Sequence, residues 1–376
     1  QGSVNGRIAL QDAAVAEQLV APENQDDAAY TLVAGSFDSQ DSEGADILML
    51  VRLDAANGKA TVVSIPSNLM WTLSDGSNGL IGRELELGGD AGLVKQVASF
   101  AGVDIAHYVR ADADGFVQLV DALDGIDVTL SEEVDDPVAG NIYVAAGNQH
   151  LDGAQALVVA RAKNYLNSYD TRAQNQMKLL VALVRKAASG EGFGAQQSTL
   201  DAIAGTFQTD YAASDLLRLL GQLGGVADEN VQMARVPGYS GYESGELRFS
   251  VAPNGWKTMM EKVGAGVDPN EKSEAVQSVN PSKYTLTVKN GAGVAGAASE
   301  CADALEALGY KVKETGNTDQ FAYNETLVVY KDSKDVAAAE AIADSLGVGR
   351  SVEAGIYYEF NTDLMVIVGQ DWKPRS

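Results

Sequence analysis

The sequence has very few of the residues that build disulfides and transition-metal sites. Its 376 residues include one cysteine, Cys301, and two histidines, His107 and His150. A single cysteine allows neither an intramolecular disulfide nor a thiolate cage for a metal. Because the two histidines lie far apart in the sequence, a histidine-rich metal centre is not favoured either.

Positive charge is also scarce. The chain carries 27 lysines and arginines against 52 aspartates and glutamates, which gives a formal net charge of −25. Nucleic-acid binding depends on lysine and arginine side chains that displace counterions from the phosphates. We therefore expect no nucleic-acid partner.

Long hydrophobic runs are missing as well. No apolar stretch of the sequence reaches the ~18–20 residues that a transmembrane helix needs. The chain starts with QGSVNGRIAL and has no initiator methionine. We therefore expect that an upstream signal or membrane anchor has been removed.

Length and hydrophobic content predict two or three folded domains. The chain is 45% hydrophobic and contains 8 prolines, so it has ample material for a core. The predicted organisation is an N-terminal linker or weak helix at 1–29, an α/β domain at 30–263, a linker at 264–281 and a small α/β domain at 282–372. The second linker lacks apolar periodicity and contains two prolines.

Three apolar runs without polar alternation predict strands that are covered on both faces. They occupy 30–35, 46–53 and 60–65, and Asn57-Gly58 between the last two is typical of a hairpin turn. Apolar periodicity predicts helices at 91–101, 113–123, 153–160, 171–188 and 212–223, with further strands at 105–109, 126–130 and 231–236. The first domain is therefore predicted to be an α/β sandwich with a mixed sheet.

The segment 282–372 alternates strands and helices in the order βαββαβ, which predicts a split ferredoxin-like arrangement. Its sequence NGAGVAG places Gly291, Gly293 and Gly296 in a GxGxxG pattern, and Glu314 follows near the distance of a ribose-binding acid. A dinucleotide domain needs more parallel βα units than this segment provides. We therefore favour a structural role for the glycines, in a tight turn and in helix packing, over a nucleotide site.

Basic side chains are concentrated between Leu151 and Gln176, in LDGAQALVVARAKNYLNSYDTRAQNQ. Arg161 and Lys163 follow a buried apolar run, and in an extended chain they would point the same way. Arg172 and Gln176 lie four residues apart on one face of a predicted amphipathic helix. These side chains could converge on a phosphate where a strand or helix end meets a helix start. The alternative interpretation is that they are solvated caps and surface salt bridges.

The stretch LDGAQALVVARAK is followed by an arginine and a glutamine, and is preceded by HYVRADADGFVQLVDALDGIDVTL, VVSIPSNLM and ADILMLV. These stretches and their spacing resemble the LytR-CpsA-Psr family over residues 30–188, and less distinctly to about 262. The NG-x-G opening near residue 290 and Gly309 resemble the C-terminal domain often appended to such proteins. Family members are extracytoplasmic, membrane-anchored proteins that move glycopolymers from a polyprenyl pyrophosphate carrier onto peptidoglycan or a related acceptor. The resemblance implies an α-β-α sandwich with a polyprenyl-phosphate lipid or wall glycopolymer as partner.

The resemblance also implies roles for particular residues. The implied substrate-binding residues are Arg161, Lys163, Arg172 and Gln176. Arg161 and Arg172 would hold the pyrophosphate and would take part in catalysis together with Asp46. The family's Mg²⁺ site uses two aspartates, and few carboxylates plus a pyrophosphate suit this cation. Asp46 matches one of the two, whereas Asp38 lies one residue late, which in a strand turns it to the other face.

Several charged positions of the family pattern are changed in this sequence. Where the family has an aspartate or an arginine, this chain has Phe37, Ser39, Gly44, Ser67, Asn68 and Asn175. The family's Lys-Ile-Asn is here Leu-Ile-Gly at 80–82, and Asp170 is one position closer to Arg172. Lys163 replaces an arginine, and a lysine is not equivalent to a bidentate guanidinium. The framework of the pattern is present, and much of the expected phosphate clamp is absent.

These departures lead to three hypotheses. We favour a binding protein, a catalytically weakened relative that holds a polyprenyl lipid or wall polymer or assists active relatives. The alternative is an active Mg²⁺-dependent transferase of glycopolymer phosphate. A nucleotide-binding protein that uses 291–296 is the third. For the first two, we expect an extracytoplasmic protein with an apolar tunnel within 30–262 that opens near Arg161 and Arg172.

Overall fold

The structure is a computed structural model that describes residues 6–7, 9–10, 12–38, 44–165, 168–189 and 193–373, with the main chain alone at 168, 169, 193–196 and 239. The chain divides into two compact units, Gln1–Asn270 and Glu271–Ser376. This division falls inside the segment 264–281, which was predicted to be a linker. Each unit has its own hydrophobic core.

The first unit has a central sheet with helices on both of its faces. Its strands are β1 (Ala29–Ser36), β2 (Ile47–Asp54), β3 (Lys59–Ile65), β4 (Met70–Thr72), β5 (Asn78–Leu80), β6 (Ile105–Asp112), β7 (Ile126–Leu130), β8 (Gly147–Leu151), β9 (Gln208–Thr209), β10 (Val231–Arg235), β11 (Gly238–Glu243) and β12 (Glu246–Val251). Its helices are α1 (Ala13–Gln18), α2 (Glu84–Ala101), α3 (Ala113–Ala122), α4 (Gly153–Arg161), α5 (Ser168–Ala188), α6 (Phe193–Ile203), α7 (Ala213–Gly224) and α8 (Pro253–Gly264).

The central sheet is mixed, with the strand order β10-β3-β2-β1-β6-β9. The strands β1, β2 and β3 form an antiparallel meander, whereas β6 is parallel to β1 and β10 is parallel to β3. The turn between β2 and β3 contains Asn57 and ends at Gly58, whose positive φ of 60° suits a glycine. The predicted hairpin and mixed sheet are both confirmed.

Side-chain alternation along the strands produces two separate cores. On β1, Leu32 and Ala34 pack against α1, α2 and α8. Val33, together with Phe37 just after the strand, packs on the opposite face against α3, α4, α5, α6 and α7. Because successive strand residues point to opposite faces, an unbroken apolar run supplies both cores. The α-β-α sandwich is therefore confirmed.

The N-terminal segment, predicted to be a linker or weak helix, contains helix α1, which packs on the sandwich. Asp12 caps α1 by accepting a hydrogen bond from the Ala14 amide, and Val15 is 1% exposed in the core on the α2 side of the sheet. The sequence showed a weak helix because one buried residue in six gives little periodicity. Tertiary packing, rather than helix propensity, holds such short helices.

The second unit is an α/β domain whose topology differs from the prediction. Its strands are β13 (Thr285–Asn290), β14 (Lys311–Asn317), β15 (Leu327–Tyr330), β16 (Arg350–Glu353) and β17 (Leu364–Val368), and its helices are α9 (Glu274–Gln277), α10 (Ala297–Ala307) and α11 (Val336–Leu346). The sheet order is β14-β13-β17-β15-β16.

The predicted split ferredoxin-like arrangement is wrong in two respects. Strand β14 lies directly beside β13 and parallel to it, so no strand separates the two ends of this βαβ unit. In addition, β16 follows α11 and extends the sheet at the β15 edge. Strand β16 was not predicted because Arg350–Glu353 is a short, partly polar edge strand without an apolar run.

The glycine-rich turn between β13 and α10 is closed by its own side chains. Oδ1 of Asn290 accepts hydrogen bonds from the amides of Ala292 and Gly293, both at 3.1 Å. A Cβ on Gly293, whose φ is 71°, would lie 3.0 Å from Cβ of Phe321. Two of the amides that a pyrophosphate would need are therefore engaged, and the pattern supports the structural role of the glycines.

We expect residues 271–373, expressed alone, to unfold in one cooperative transition, because the unit has its own closed core. Cys301 reports on this core, since the side chain is buried and burial raises the pKa of its thiol to about 12. The thiol should therefore react with a thiol reagent only when the domain unfolds. Fluorescence and thiol labelling during denaturation provide the test, and a thiol that reacts freely without denaturant would contradict it. Added NAD or ATP should leave the melting temperature unchanged.

Candidate functional site

An apolar cavity lies between the sheet and the helix layer formed by α3, α5, α6 and α7. Its volume is about 250 Å³, and its lining is almost entirely apolar. Along β1 and the residue that follows it, Thr31, Val33, Gly35 and Phe37 line the cavity, as does Ala34. At ~3.3 Å per strand residue, the six steps from Thr31 to Phe37 span about 20 Å. The cavity therefore runs along the strand from its first residues to its carboxyl end.

The two ends of the cavity differ in character. At the carboxyl end of β1 the lining includes Phe37, Ala160 and Gln176, and at the opposite end it includes Tyr211 and Val226. The first end lies beside the predicted cation cluster, because Ala160 immediately precedes Arg161, the last residue of α4. We use the name mouth for this end only to mark its position beside Arg161; toward the opposite end the lining includes the charged residue Arg185.

The side chain of Asp46 is buried at the mouth. Its Oδ1 accepts a hydrogen bond of 2.7 Å from the Phe37 amide. Its Oδ2 lies 3.8 Å from Nη2 of Arg172 and has no hydrogen-bond partner among the residues that the structure describes. Burial raises the pKa of Asp46, while the Phe37 amide and the charge of Arg172 act in the opposite direction. A buried carboxylate oxygen without a hydrogen bond retains the capacity to accept one.

Arg172, near the start of α5, balances part of this charge. Its side chain is 19% exposed, and its Nε is buried without a hydrogen-bond partner in the described part of the chain. Burial lowers the pKa of the guanidinium, and the carboxylates of Asp46 and Asp38 counteract the shift. Among the described residues, Arg172 therefore has a buried donor without a hydrogen bond close to an Asp46 oxygen that also has none.

Arg161 and Lys163 both reach the segment that follows β1. Arg161 is the last residue of α4, and its Nε donates a hydrogen bond to the main-chain oxygen of Phe37. Nζ of Lys163 lies 3.2 Å from Oδ2 of Asp38. The extended backbone that would align the two side chains is not present at Arg161, because α4 continues to that residue. Arg161, Lys163 and Arg172 nevertheless come together where α4 ends and α5 begins, and the structure adds that they contact Phe37, Asp38 and Asp46.

Gln176 has a structural contact at this place. Its Nε2 donates a hydrogen bond of 2.9 Å to the main-chain oxygen of Ala160, and the side chain is buried. The bond ties α5 to the last turn of α4. Gln176 thus lines the cavity and fixes the helix that carries Arg161.

Phe37 occupies a position where the family pattern places an aspartate. Its ring packs 4.7 Å from that of Phe116, and the residue is 6% exposed. A Cβ on Gly35 would lie 3.0 Å from the Phe37 ring, so the glycine makes room for it. The main chain of Phe37 contacts Asp46 and Arg161, whereas its side chain has become part of the cavity wall.

Apart from Lys163, the other positions at which this chain departs from the family pattern likewise carry no positively charged side chain. Gly44, Ser67 and Gly82 come together through main-chain contacts, including hydrogen bonds from Ala45 to Gly82 and from Gly82 to Ser67, both at 2.9 Å. Asn175 is buried and donates a hydrogen bond of 3.0 Å to the Tyr165 hydroxyl. Ser39 lies outside the described residues.

Arg235 is a cation at the same sheet edge that the sequence interpretation missed. It ends β10 and forms an ion pair with Asp170 in the first turn of α5. The available signal was a lone arginine at the end of a strand with apolar Val231 and Met233 on the same face. Arg110, an arginine on β6, does not join this group, because it faces the other side of the sheet and its Nε lies 2.7 Å from Oδ1 of Asp90.

The carboxylates at the mouth fit a magnesium ion through one buried oxygen. Mg²⁺ is held in proteins by one or two carboxylates together with water and phosphate oxygens. Oδ2 of Asp46 meets this requirement, and Asp38 is close enough for its charge to raise the pKa of Asp46. Arg172 and Lys163 already face these carboxylates. Within the described ranges, no cluster of three or more histidine, cysteine or acidic residues could hold a metal.

Comparison with protein families assigns this architecture. The LytR_cpsA_psr family model matches residues 7–265, more than half of the chain. The chain belongs to the LytR-CpsA-Psr family. A second model, described as LytR cell envelope-related transcriptional attenuator, matches residues 283–372. The resemblances of both segments are thereby confirmed.

Curated relatives in the LytR-CpsA-Psr family act in cell-wall synthesis. The cell wall biosynthesis protein LcpA of Corynebacterium glutamicum is 27% identical over 375 residues, covering 90% of this chain and 72% of LcpA. TagU of Bacillus mycoides, a polyisoprenyl-teichoic acid–peptidoglycan teichoic acid transferase, is 29% identical over 182 residues, covering 48% of this chain and 59% of TagU. The match thus spans about three fifths of TagU. The family supports a role in envelope glycopolymer transfer.

Solved structures of the family share the fold of the first unit. The crystal structure of Bacillus subtilis TagV matches with a TM-score of 0.58 at 22% identity, covering 65% of this chain and 99% of TagV. TagT bound to LI-WTA matches with a TM-score of 0.56 at 20% identity, covering 69% of this chain and 99% of TagT. At these identities the likeness establishes the fold. No helix in the described portion is long and apolar enough to cross a membrane.

Proposed function

We propose that this chain binds a polyprenyl phosphate- or pyrophosphate-linked glycopolymer and has weakened or lost transferase activity. The observation that carries the proposal is an apolar cavity whose mouth lies beside Arg161 and Arg172. The isoprenoid chain would occupy the cavity, where burial of apolar surface favours binding by about 25 cal/mol per Å². The phosphate would lie against the guanidinium groups.

The size of the cavity limits how much of a lipid enters it. Pockets for small ligands usually measure ~300–1,000 Å³, and this cavity measures about 250 Å³. We therefore expect it to hold the part of the isoprenoid chain nearest the phosphate. A longer buried stretch would require α5 and α7 to move apart.

Weak catalysis is proposed because the mouth has few groups for a developing charge. Phe37 contributes a ring to the cavity wall, and Asn175 is turned to Tyr165. Lys163 supplies a point charge where a guanidinium would donate two parallel hydrogen bonds. The remaining arginines would bind a phosphate better than they would stabilise its transfer.

Magnesium belongs to this proposal as a weakly held ion. Asp46 would be its main protein ligand, with Asp38 as an offset second carboxylate. The ion would neutralise charge on the bound phosphates. Because Arg172 and Lys163 compete for the same two carboxylates, we expect low affinity without substrate.

The active transferase is the second candidate function, and a specific observation favours it. Of the three residues with implied catalytic roles, Asp46 and Arg161 both form hydrogen bonds with the main chain of Phe37, and Arg172 faces the Asp46 carboxylate. In either case we propose an extracytoplasmic protein that acts at the cell envelope.

Replacing Ala187 with phenylalanine should weaken polyprenyl phosphate binding at least tenfold and preserve the fold. Ala187 lies on α5, is 6% exposed and lines the cavity. A ring added to an existing cavity fills space that the lipid needs, whereas the same ring in a close-packed core would cost about 1–3 kcal/mol. Isothermal titration of the lipid in detergent micelles and thermal unfolding provide the two measurements.

Ala154→Phe is the matched control for this experiment. Ala154 is exposed on α4, away from the cavity lining, so the same added ring should leave lipid affinity unchanged. If Ala187→Phe binds the lipid as tightly as the natural sequence does, the cavity is not the lipid site. If the natural sequence binds no polyprenyl phosphate, the proposed function itself fails.

A further inference from the structure

We propose that Arg235 is a further phosphate-binding residue of the mouth, and that Asp170 is its positioning residue. The proposal rests on the proposed function and extends it, because Arg235 was not among the site residues predicted from the sequence or implied by the resemblance. It supplies the site with a third guanidinium where several of the expected ones are missing.

The register of the sheet places Arg235 at the carboxyl edge. Strand β10 runs parallel to β3, and Arg235 is the register partner of Ser64, near the end of that strand. Asp46 directly precedes β2, and β2 pairs antiparallel with β3 so that Leu48 lies opposite Ile65. Arg235 and Asp46 are therefore on the same edge of the sheet, two strands apart.

Strand alternation also sets the face on which Arg235 lies. Val231 lines the cavity, and Met233 packs against the same core. Because strand side chains repeat every two residues, Arg235 points toward the helix layer, beyond the end of the cavity. Arg110, by contrast, lies at an alternate position on β6 and faces away from the cavity.

Asp170 joins Arg235 to the helix that carries Arg172. Nε of Arg235 and Oδ1 of Asp170 form an ion pair, and the two side chains are 25% and 23% exposed. Asp170 lies in the first turn of α5, two residues before Arg172, whose Nη2 is 3.8 Å from Asp46. Both arginines are thus fixed to the start of the same helix, and a quarter of the Arg235 side chain is exposed.

The chemistry of the guanidinium fits this role. Arginine has five N–H donors in a rigid plane, so an ion pair with one carboxylate orients the group toward a phosphate that approaches its exposed part. An arginine that binds phosphate contributes charge and direction, and lysine supplies only the charge. Arg235 would recognise a phosphate monoester or pyrophosphate and would not contact the isoprenoid chain.

The test compares a charged lipid with its neutral counterpart. Polyprenyl phosphate and the matching polyprenol would be titrated into the full chain, and inorganic pyrophosphate would be used as a competitor. We expect Arg235→Gln to weaken polyprenyl phosphate binding by about 10–100-fold, in line with the loss of charge-assisted hydrogen bonds. Its affinity for polyprenol should stay within about twofold, since that ligand carries no phosphate. Arg235→Lys should recover part of the loss.

Arg248→Gln is the matched control. Arg248 is also an arginine on a strand, 26% exposed and paired with Glu243 and Glu246 on the β11–β12 hairpin, and its loss should not change either affinity. A general structural defect in Arg235→Gln would weaken phosphate and polyprenol alike, which would overturn the proposal. Unchanged phosphate binding in Arg235→Gln would also overturn it. If the natural sequence binds neither lipid, the proposed function fails, and this inference fails with it.

Discussion

Replacing Arg172 with alanine should lower the free energy of unfolding by about 3–5 kcal/mol at neutral pH, the usual cost of removing one partner of a buried ion pair. The side chains of Arg172 and Asp46 are 19% and 12% exposed, so little water is available to replace the guanidinium. The carboxylate of Asp46 would then be buried with the Phe37 amide as its described hydrogen-bond donor. Chemical denaturation of the natural sequence and the variant measures the difference.

The pH dependence of this loss has a definite sign. Burial raises the pKa of Asp46, so the folded protein binds this proton more readily than the unfolded chain does. Protonation of Asp46 therefore adds to the stability of the folded protein, fully so below the unfolded pKa of about 3.9. This added stability is lost as the pH rises through the pKa of Asp46 in the folded protein. Arg172 lowers the pKa of Asp46, so its removal raises that pKa further. The stability gap between the natural sequence and Arg172→Ala should be widest at neutral pH and should narrow toward acid.

A double variant separates the pair from each residue alone. Asp46→Asn combined with Arg172→Ala removes both charges, so its stability loss should be smaller than the sum of the two single losses. A loss in Arg172→Ala that does not change between pH 7 and pH 4 would show that Asp46 is not the group left unpaired. Additive single effects would lead to the same conclusion.

Turnover of a polyprenyl pyrophosphate-linked donor by the natural sequence should lie near background, even with Mg²⁺. Loss of one well-placed donor to a developing charge typically reduces the rate by about 10²–10³-fold. Gly44, Ser67 and Asn175 each stand where the family pattern has an arginine, and so does Ser39 outside the described residues. Such losses act on one charge cluster and do not multiply. A turnover assay against a relative with the full motif set measures the difference.

The variant Phe37→Asp/Ser39→Arg/Ser67→Arg should raise this turnover. Phe37→Asp alone places a carboxylate beside Phe116 in the cavity wall, where an unpaired charge is costly to bury. We therefore expect that single variant to be less stable than the natural sequence and to be stabilised by added Mg²⁺. Thermal unfolding with and without Mg²⁺ checks this point independently of activity.

A fast natural enzyme would contradict the weakened-transferase proposal. Robust Mg²⁺-dependent turnover that is abolished by Asp46→Ala or Arg161→Ala would show that other cations complete the site. Arg83 would then be a candidate, since it directly follows Gly82, whose amide donates a hydrogen bond to the main-chain oxygen of Ser67. Its Nη2 lies 2.6 Å from Oε1 of Glu246. Arg110 would be a weaker one, because Asp90 holds it on the other face of the sheet.

Local sequence patterns predicted most of the framework of this protein. The apolar runs that became β1, β2 and β3 are long and continuous, and the stripe on α5 repeats at helical spacing. Hydrophobic periodicity is a local property, so it could be recognised without knowledge of the rest of the chain. The grouping of Arg161, Lys163 and Arg172 was also predictable, because these residues border a single helix-to-helix connection.

The tertiary structure decided what these residues contact. Phe37 packs on Phe116, and its main chain engages both Asp46 and Arg161; Gln176 binds the carbonyl oxygen of Ala160. Such contacts join residues far apart in sequence and leave no periodic trace in it. The position of Arg235 depends on the parallel pairing of β10 with β3, and that of β16 on a free sheet edge beside β15. Strand pairing between distant segments is set by packing of the whole domain, and for that reason the sequence alone could not specify it.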